Sequence, residues 1–588
     1  MNQLNIEKRP ALVHVNKGLN SRSKARVIKQ LVEALLFEQL VPYHYTNGSF
    51  WFSVGATRYI ARGHISSFGR IRLDATYIKQ IAPFKTATID LPTLVNDLPA
   101  SDSTKRQLLK ELDQTIGFCE WNDAHLSQLQ SRRHLDYSAL ESAILEGHPY
   151  HPCFKARTGF STSDHAYYSP EANNHFKLHW LAIKHAFLAL NLPMETIHFW
   201  QQELGNETLN TLQQRLNTTS THGQEYGFLP IHPWQRQALA SELTQPINNK
   251  DIIDLGECGD SYQATISVRT LLNVTSPDKA HVKLPMNMVN TSSLRTIEPH
   301  SVTTAPVISN WLDTIIKQDS WYQEKQNLAI QNEYAGIVVR HPDTTVGAEH
   351  WANKLSPSLS VIFRNSQPLK AGITHALPFV ALSLVEHDGL PFIDPWIKKY
   401  GCEAWLTQLL EVTVVPVWHL LVKHGIAVEA HAQNMNLRHD NGWPTSVVLR
   451  DFHESLEYVD SYLAQPELTP HFAKLHHDYI HAPANQFYWM SDVDALRELF
   501  VDTLFVYNLT DVAELMHRYY HYEESQFWRQ VSHVLSAYEK TTKPCPTRIR
   551  KIKLLAPTIQ TESLLAKKLS GQGTQEFHHS IPNPLHPL

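Results

Sequence analysis

The apolar positions of this chain change period several times, and each change marks an element. From Ser23 the run KARVIKQLVEALLFEQLV sets Val27, Ile28, Leu31, Leu35 and Phe37 close to a helical repeat, which predicts an amphipathic first helix capped by Ser21 or Ser23. SFWFSV, TRYIARGHIS and GRIRLD then alternate between Gly-containing turns, the pattern of an antiparallel meander. The polar stretch DLPASDSTKR interrupts it, and a helical stretch to about Leu145 completes a first unit, 1–146. Between 147 and 370, strand-like runs (DSYQATISVRTLL, HVKLPMNMV) mix with helical ones (VISNWLDTIIKQ), an α+β pattern without the regular βαβα alternation of a doubly wound fold. From Ala404, AWLTQLLEVTVVPVWHLLVKHG reads as a long buried helix that accommodates or kinks at Pro416. NMNLRHDNGWPTSVVLRDF then places two β-rich arms around Asp440-Asn441-Gly442, a strong hairpin signal. The remainder of a third unit, 371–588, is mostly helical and aromatic, with RIRKIKLL read as a short strand and the Gly- and Pro-containing tail around His578 and His579 as loosely ordered.

Composition narrows the function classes. Lys and Arg total 52 against 57 Asp and Glu, a net charge of −5 that supplies no bulk attraction to nucleic acid or anionic membrane. No stretch reaches the roughly 18 to 20 uninterrupted apolar residues of a membrane span, and MNQLNIEKRPALV lacks the apolar core of a signal peptide; the expectation is a cytoplasmic protein. Five scattered cysteines (Cys119, Cys153, Cys258, Cys402, Cys545) form no CxxC pair and are expected to be reduced structural thiols. The 35 histidines invite a metal-binding reading, through His517 and His521 at i, i+4 or through His476 and His477 among aromatics, but ligand sets need convergent geometry.

Chemistry concentrates in three places. In the hairpin, Asn434 and Asp451 lie equally far from a midpoint between Gly442 and Trp443, so antiparallel pairing predicts that they meet at its open end. Glu429, His431 and Gln433 share one face if that approach is extended, and the resulting carboxylate, amide and carboxylate suit a hard cation such as Mg²⁺. An ordinary hairpin with polar ends accounts for the same spacing, because a one-residue slip separates the pair. The second cluster is cationic: Ser267, Arg269 and Thr270 in a strand-like run, Lys283 in the next, then Thr291, Ser292, Ser293 and Arg295 in TSSLR. Arginine forks and hydroxyls recognise phosphate or carboxylate, though salt-bridged surface strands have the same composition. In the third, GHPYHPCFKARTGF, two His-Pro dipeptides fix an extended path in which Lys155 and Arg157 fit an anion lid better than His148 and His151 fit zinc. There is no GxxxxGK[ST] loop and no GxSxG elbow, which disfavours a P-loop ATPase and an α/β-hydrolase.

GHPYHPCFKARTGF, IHPWQ, SVRT, KLPMNMVNTSSLR, EAHAQN and LRDF, in this order over some 300 residues, resemble one family: the siderophore synthetases that act independently of nonribosomal peptide synthetases, with aerobactin synthetase as type example. GLPFIDPWIKKYGCEAW and HGIAVEAHAQNMNL look most like members that build citrate-based carboxylate siderophores, the staphyloferrin B type. The resemblance implies a cupped-hand α+β monomer with thumb (1–146), fingers (147–370) and palm (371–588), assembled as a homodimer. It implies ATP and Mg²⁺ used to adenylate citrate or a citryl intermediate, with release of pyrophosphate, and an amine or hydroxyl nucleophile that displaces AMP. By match of motif, Ser267, Arg269, Thr270 and Lys283 would hold nucleotide phosphates, with Lys155, Arg157 and Gln433 beside them. Arg295, His431 and Thr291, with His148, would hold the carboxylate; Arg295, His431 and Lys283 would act at the reacting centre; and Glu429, Asn434 and Asp451 would carry Mg²⁺. No motif transfers for choice of nucleophile, for which Arg497 and Glu514 are candidates. The rival readings are a kinase-like phosphotransferase, which releases ADP, and a His-rich metal or iron-chelate binding protein, which takes up metal without ATP.

Overall fold

A computed structural model describes residues 21–587, apart from 83–84, 127–130, 221–222, 292, 344–345, 348, 367–374 and 572–575. The N-terminal stretch read for a signal peptide lies outside the described residues. The first helix runs Arg22–Phe37, and the Ser21 hydroxyl accepts from Lys24 N at 3.1 Å, which decides between the two candidate caps. Its apolar stripe packs on a five-stranded antiparallel meander of sequential order, the strands Tyr43–Thr46, Ser49–Val54, Thr57–Ile65, Ile71–Ala82 and Lys85–Thr88. Alternation decides the faces: Phe50, Phe52 and Val54 are buried while Trp51 and Ser53 face solvent. The predicted break holds Ser101, whose hydroxyl caps the helix Asp102–His125.

The middle of the chain forms an eight-stranded antiparallel sheet in the order Leu188–Asn191, Glu333–Val339, Ser360–Arg364, His281–Lys283, Thr270–Asn273, Ile252–Ala264, Phe176–Lys184 and Tyr226–Ile231. The helices Thr196–Thr219 and Pro299–Gln318 pack against it. DSYQATISVRTLL is not one strand. The chain turns over residues 265–269, with Val268 at φ 64, and Thr265 Oγ1 donates to Thr270 O at 2.8 Å while it receives Ser267 N at 3.3 Å. Two local hydroxyl–backbone bonds thus convert a strand-like run into a tight loop between the paired strands Ile252–Ala264 and Thr270–Asn273.

The hydrophobic core is shared in an order that differs from the order of the chain. One cluster runs from Val27 through Phe154 to Leu585, joining the N-terminal unit to the C-terminal helices, while the central sheet encloses another. The predicted long helix spans Cys402–His419 and continues as a π-turn, Leu420–His424. It is long and apolar enough to cross a membrane by length and composition, but 83% of its apolar window is buried within the protein, against the hairpin and the helix Glu524–Thr542.

The hairpin forms, with its register one residue from expectation. Asp440 pairs with Trp443 around Asn441-Gly442, but Arg438 pairs with Ser446, so Thr445 is an extra residue in the second arm. The turn is centred between Asn441 and Gly442, one residue before the expected midpoint, which alone would set Asn434 opposite Leu449; Pro444 has no N–H to continue the ladder, and the bulge beside it moves every later pair by one. Asn434 consequently faces Arg450, whose N–H donates to Asn434 O at 3.0 Å, and Asp451 falls one position beyond. Two further expectations change. The first five residues of RIRKIKLL lie in a helix, Pro546–Ile552, since Ile549 and Ile552 repeat at i, i+3 as well as in alternation and Pro546 starts the turn. The tail is ordered around His579, for His578–Pro582 pairs with Thr558–Glu562, and the His579 ring is buried and bonded to Ser563 Oγ at 2.8 Å.

Gly442 sits at φ 91 with Trp396 so close that an added Cβ would lie 2.1 Å from its ring. Gly442→Ala is expected to destabilise the protein by about 2 kcal/mol or more through strain and overpacking. A shift of the urea midpoint to lower concentration at unchanged m-value checks this.

Candidate active site

The 265–269 loop, the strand His281–Lys283, the open end of the hairpin, the 147–157 loop and the C-terminal helices line one cavity of about 2150 Å³. Of the residues assigned roles by motif, all but one reach its wall: Ser267, Arg269, Lys283, Thr291, Arg295, Lys155, Arg157, His148, Glu429, His431, Gln433, Asn434 and Asp451. Thr270 does not. It is buried, and its hydroxyl donates to Ser267 Oγ at 3.3 Å, so it shapes the loop from behind. Ser292 lies outside the described residues. Of the two palm candidates, Glu514 lines the cavity, whereas Arg497 is turned away to Asp494 at 2.7 Å.

A buried charge network forms the floor. Lys283 Nζ donates to Asp451 Oδ1 at 2.7 Å, and Arg364 Nη1 donates to the same oxygen at 3.0 Å. Glu333 stands 3.7 Å from Lys283 and 3.0 Å from His453 Nδ1. Burial opposes ionisation of Glu333, but His453 and Lys283 outweigh it and hold its carboxyl down to about 2. Burial likewise opposes the charge on Asp451, and Lys283, Arg364 and Arg450 outweigh it and keep its carboxyl well below the usual range. Arg450 is fixed in turn by Glu141 at 2.5 Å and Tyr137 at 3.0 Å, and Glu141 also accepts from Ile266 N at 3.2 Å in the loop that carries Ser267 and Arg269.

Sequence reasoning missed Glu333, Arg364 and His453. For Glu333 and Arg364 the signal was a charged residue inside an apolar strand, as in QNEYAGIVV and SVIFRN, which must find a partner when buried; His453, in a turn, carried no such signal.

The metal candidates are only partly assembled. Glu429 and Asn434 meet, with Asn434 Nδ2 3.3 Å from Glu429 Oε2, and Ser455 Oγ holds that carboxylate at 2.6 Å. His431 Nε2 lies 3.5 Å from Glu429 Oε1. They do not share an extended face, because His431 caps a short 3-10 turn, Ala432–Asn434, and its Nδ1 receives Gln433 N and Asn434 N at 3.2 Å each. Asp451 lies beyond the hairpin's last pair, bonded to the two cations. Its φ of 63 turns the backbone there, as do Thr291 (65) and Glu454 (60) elsewhere on the wall. Such left-handed non-glycine residues cost roughly 1–3 kcal/mol each and persist only where packing imposes them.

The cationic side is arranged by carbonyls. Arg269 Nη1 donates to Thr296 O at 2.8 Å and Arg295 O at 3.2 Å, and Arg295 Nη2 donates to Asn290 O at 2.9 Å while Arg295 Nε has no partner among the described residues. Burial and Arg269 lower Arg295 to about 10, so it stays charged at neutral pH. Lys155 and Arg157 are not a free lid. Both are buried against Glu171, Arg157 with a fork at 2.9 and 3.0 Å, and Lys155 also donates to Leu145 O at 2.8 Å. His148 uses Nδ1 to receive Tyr150 N and His151 N at 3.1 Å each, and burial first, then His431, lowers it to about 4. All five cysteines are free; the Cys153 thiol is buried and pushed up by that burial, which opposes formation of the reactive thiolate.

The two cores and the charge network between them define an α+β class in which a cationic strand edge and an acidic hairpin end share one cavity. Residues 136–384 match the family model described as IucA / IucC family, and residues 403–576 match one described as ferric iron reductase FhuF-like transporter. The chain is 32% identical to the citryl-spermidine/3,4-dihydroxybenzoyl-citryl-spermidine:spermidine ligase of Bacillus anthracis, over 96% of this chain and 93% of that protein. It is 29% identical to the 2-[(L-alanin-3-ylcarbamoyl)methyl]-3-(2-aminoethylcarbamoyl)-2-hydroxypropanoate synthase of Staphylococcus aureus (strain NCTC 8325 / PS 47), over 97% and 94%. The fold superposes on the petrobactin biosynthesis protein AsbB from Bacillus anthracis str. Sterne with a TM-score of 0.88 at 31% identity, covering 96% and 95% of the two chains. The chain therefore belongs to the IucA / IucC family of siderophore synthetases.

Glu333 supplies a pH test of the floor. Its folded-state carboxyl is depressed, so its contribution to stability is full above about pH 4.5 and is lost as the pH falls toward 2. Wild-type stability should decline more steeply across that window than that of Glu333→Gln, measured by urea unfolding at successive pH values. Parallel curves would remove Glu333 from the network. Cys153→Ser should leave turnover within about twofold, since a buried neutral thiol contributes packing only; a folded but inactive protein would assign the thiol a role in the reaction.

Proposed function

We propose that the cavity binds ATP and a citrate carboxylate together and joins citrate, or a citryl intermediate, to an amine through an acyl adenylate. The observation that carries this reading is the placement of Arg269, Lys283 and Arg295 in one cavity with Glu429, Asn434 and Asp451. Attack of a carboxylate on a phosphate ester brings two anions together, and cations on both must offset that repulsion before the bond forms. In this scheme Ser267, Arg269 and Lys283 take the triphosphate, with Lys155, Arg157 and Gln433 shaping its surroundings. Arg295, Thr291 and His431 take the carboxylate, with His148 behind them. The carboxylate oxygen attacks the α-phosphorus, the bond to the β-phosphate oxygen breaks, and pyrophosphate leaves. The amine nitrogen then attacks the acyl carbon, AMP departs with the bonding pair, and the amine loses a proton, for which His431 is the acceptor in reach. An amine is favoured over a hydroxyl because the Bacillus anthracis relative is named as a ligase acting on spermidine.

A carboxylate, an amide oxygen and a second carboxylate are donors for a hard cation, and the residues present fit Mg²⁺: Glu429 and Asn434 already touch, and Asp451 would join them by sharing its charge with Lys283 and Arg364. When bound, Mg²⁺ neutralises phosphate charge. The same reading extends to a cupped-hand arrangement of thumb 1–146, fingers 147–370 and palm 371–588, to a homodimer and to the cytoplasm, where ATP is supplied.

The test is pyrophosphate release from ATP and Mg²⁺ with citrate, hydroxylamine standing in for the amine, and AMP resolved from ADP. Citrate-dependent AMP and pyrophosphate are expected. ADP would replace the proposal with a phosphotransferase, and silence with citrate and with preformed citryl amides would overturn it. Arg295→Ala is expected to lower the rate by about 10²- to 10³-fold; near wild-type release would remove Arg295 from the reacting centre.

A further inference from the structure

Among the described residues, three groups of histidines and carboxylates converge closely enough to hold a metal ion. In two of them the contacts are aligned hydrogen bonds. Asp319 Oδ2 receives His419 Nε2 at 3.1 Å and His424 Nε2 at 2.7 Å, and His419 Nδ1 is satisfied by Tyr538 OH at 2.7 Å. His64 bonds Glu514 at 3.2 Å, and Glu524 is held by the Ser66 hydroxyl and the Ser67 backbone. These contacts read as structural ties, although among the described residues His424 Nδ1 is buried without a hydrogen-bond partner.

The third group, His476, His477 and Asp478, is different. His477 Nε2 lies 3.1 Å from Asp478 Oδ1 and His476 Nδ1 lies 3.3 Å from Asp478 Oδ2, at ion-pair distance without hydrogen-bond alignment. His476 Nδ1 accepts the Asp478 backbone N–H at 3.4 Å, a long cap bond that an ion at this nitrogen would replace. The one aligned side-chain contact to the carboxylate comes from outside the trio: His300 Nδ1 bonds Asp478 Oδ2 at 3.2 Å. The other ring nitrogen of His300 stands 3.7 Å from Glu454, which lines the catalytic cavity. This carboxylate–imidazole–carboxylate chain has the form of the outer shell that orients metal ligands. His477 is about half exposed, which leaves a path for an ion.

We propose that His476, His477 and Asp478, oriented by His300, form a binding site for a divalent transition-metal ion beside the catalytic cavity. Two imidazoles and a carboxylate select Zn²⁺, Ni²⁺, Co²⁺ or Fe²⁺ over Mg²⁺ and Ca²⁺. Occupancy pulls Asp478 toward the ion, and His300 carries the change to Glu454. The site is independent of the adenylation scheme and stands or falls separately.

Equilibrium dialysis of the full-length protein against Zn²⁺ and, separately, Ni²⁺ tests it, with bound metal counted by mass spectrometry in the presence of excess Mg²⁺. Wild-type protein is expected to hold one more tightly bound equivalent than His477→Ala or Asp478→Asn, and His300→Gln is expected to weaken that equivalent by about 10-fold or more. His477 is a surface residue, so its replacement leaves the fold in place, which circular dichroism checks. Equal stoichiometry and affinity in wild type and both ligand variants would overturn the proposal, as would displacement of the bound equivalent by Mg²⁺.

Discussion

The pairing of Lys283 and Arg364 with Asp451 is the interaction on which the rest of the site depends. Lys283 and Arg364 come from neighbouring strands of the central sheet, and Asp451 ends the C-terminal hairpin, so two hydrophobic cores are joined through one carboxylate oxygen. Lys283, Arg364 and Glu333 are almost wholly shielded from water. Removing one partner from such a buried set leaves an uncompensated charge, a loss of about 3–5 kcal/mol, whereas the intact set gains little over an apolar core of the same shape. The network therefore specifies position more than it adds stability. It places the cationic ends of two central strands against the acidic end of the hairpin.

A second set of buried charges holds the loop above that floor. Glu141 links Arg450 on the hairpin to Ile266 in the 265–269 turn, and Glu171 gathers Lys155 and Arg157 on the far wall. Each of the site cations described above is thus matched by a carboxylate or by carbonyls before any substrate arrives. An anionic substrate meets donors whose directions are already set, which lowers the reorganisation that binding and reaction would otherwise require. Left-handed backbone at Val268, Thr291, Asp451 and Glu454 is part of the same arrangement, since packing and ion pairs hold conformations that an isolated chain would abandon.

Much of the fold was legible from local pattern. The helix at Arg22–Phe37, the meander, the long apolar helix and the Asn441-Gly442 turn all follow from period and turn chemistry, because each is decided by neighbours within a few residues. The failures have equally local causes. A turn centred one residue earlier than expected moved the hairpin register, two hydroxyl-to-backbone bonds folded the middle of DSYQATISVRTLL into a loop, and an ambiguous period made a helix of the first part of RIRKIKLL. Motif order brought nearly every candidate residue to one cavity, with Thr270 as the exception.

What the sequence by itself determined was therefore the element inventory, the family and the kinds of side chain present at the site. Tertiary structure alone decided who pairs with whom. Asp451, read as a partner of Asn434, is instead the anion between Lys283 and Arg364, and Lys155 and Arg157, read as a lid, are neutralised by Glu171. The physical reason is range. Periodicity and turn chemistry act over a few residues, but a buried charge must find its counter-charge wherever the fold puts one, here 168 residues away for Lys283 and Asp451.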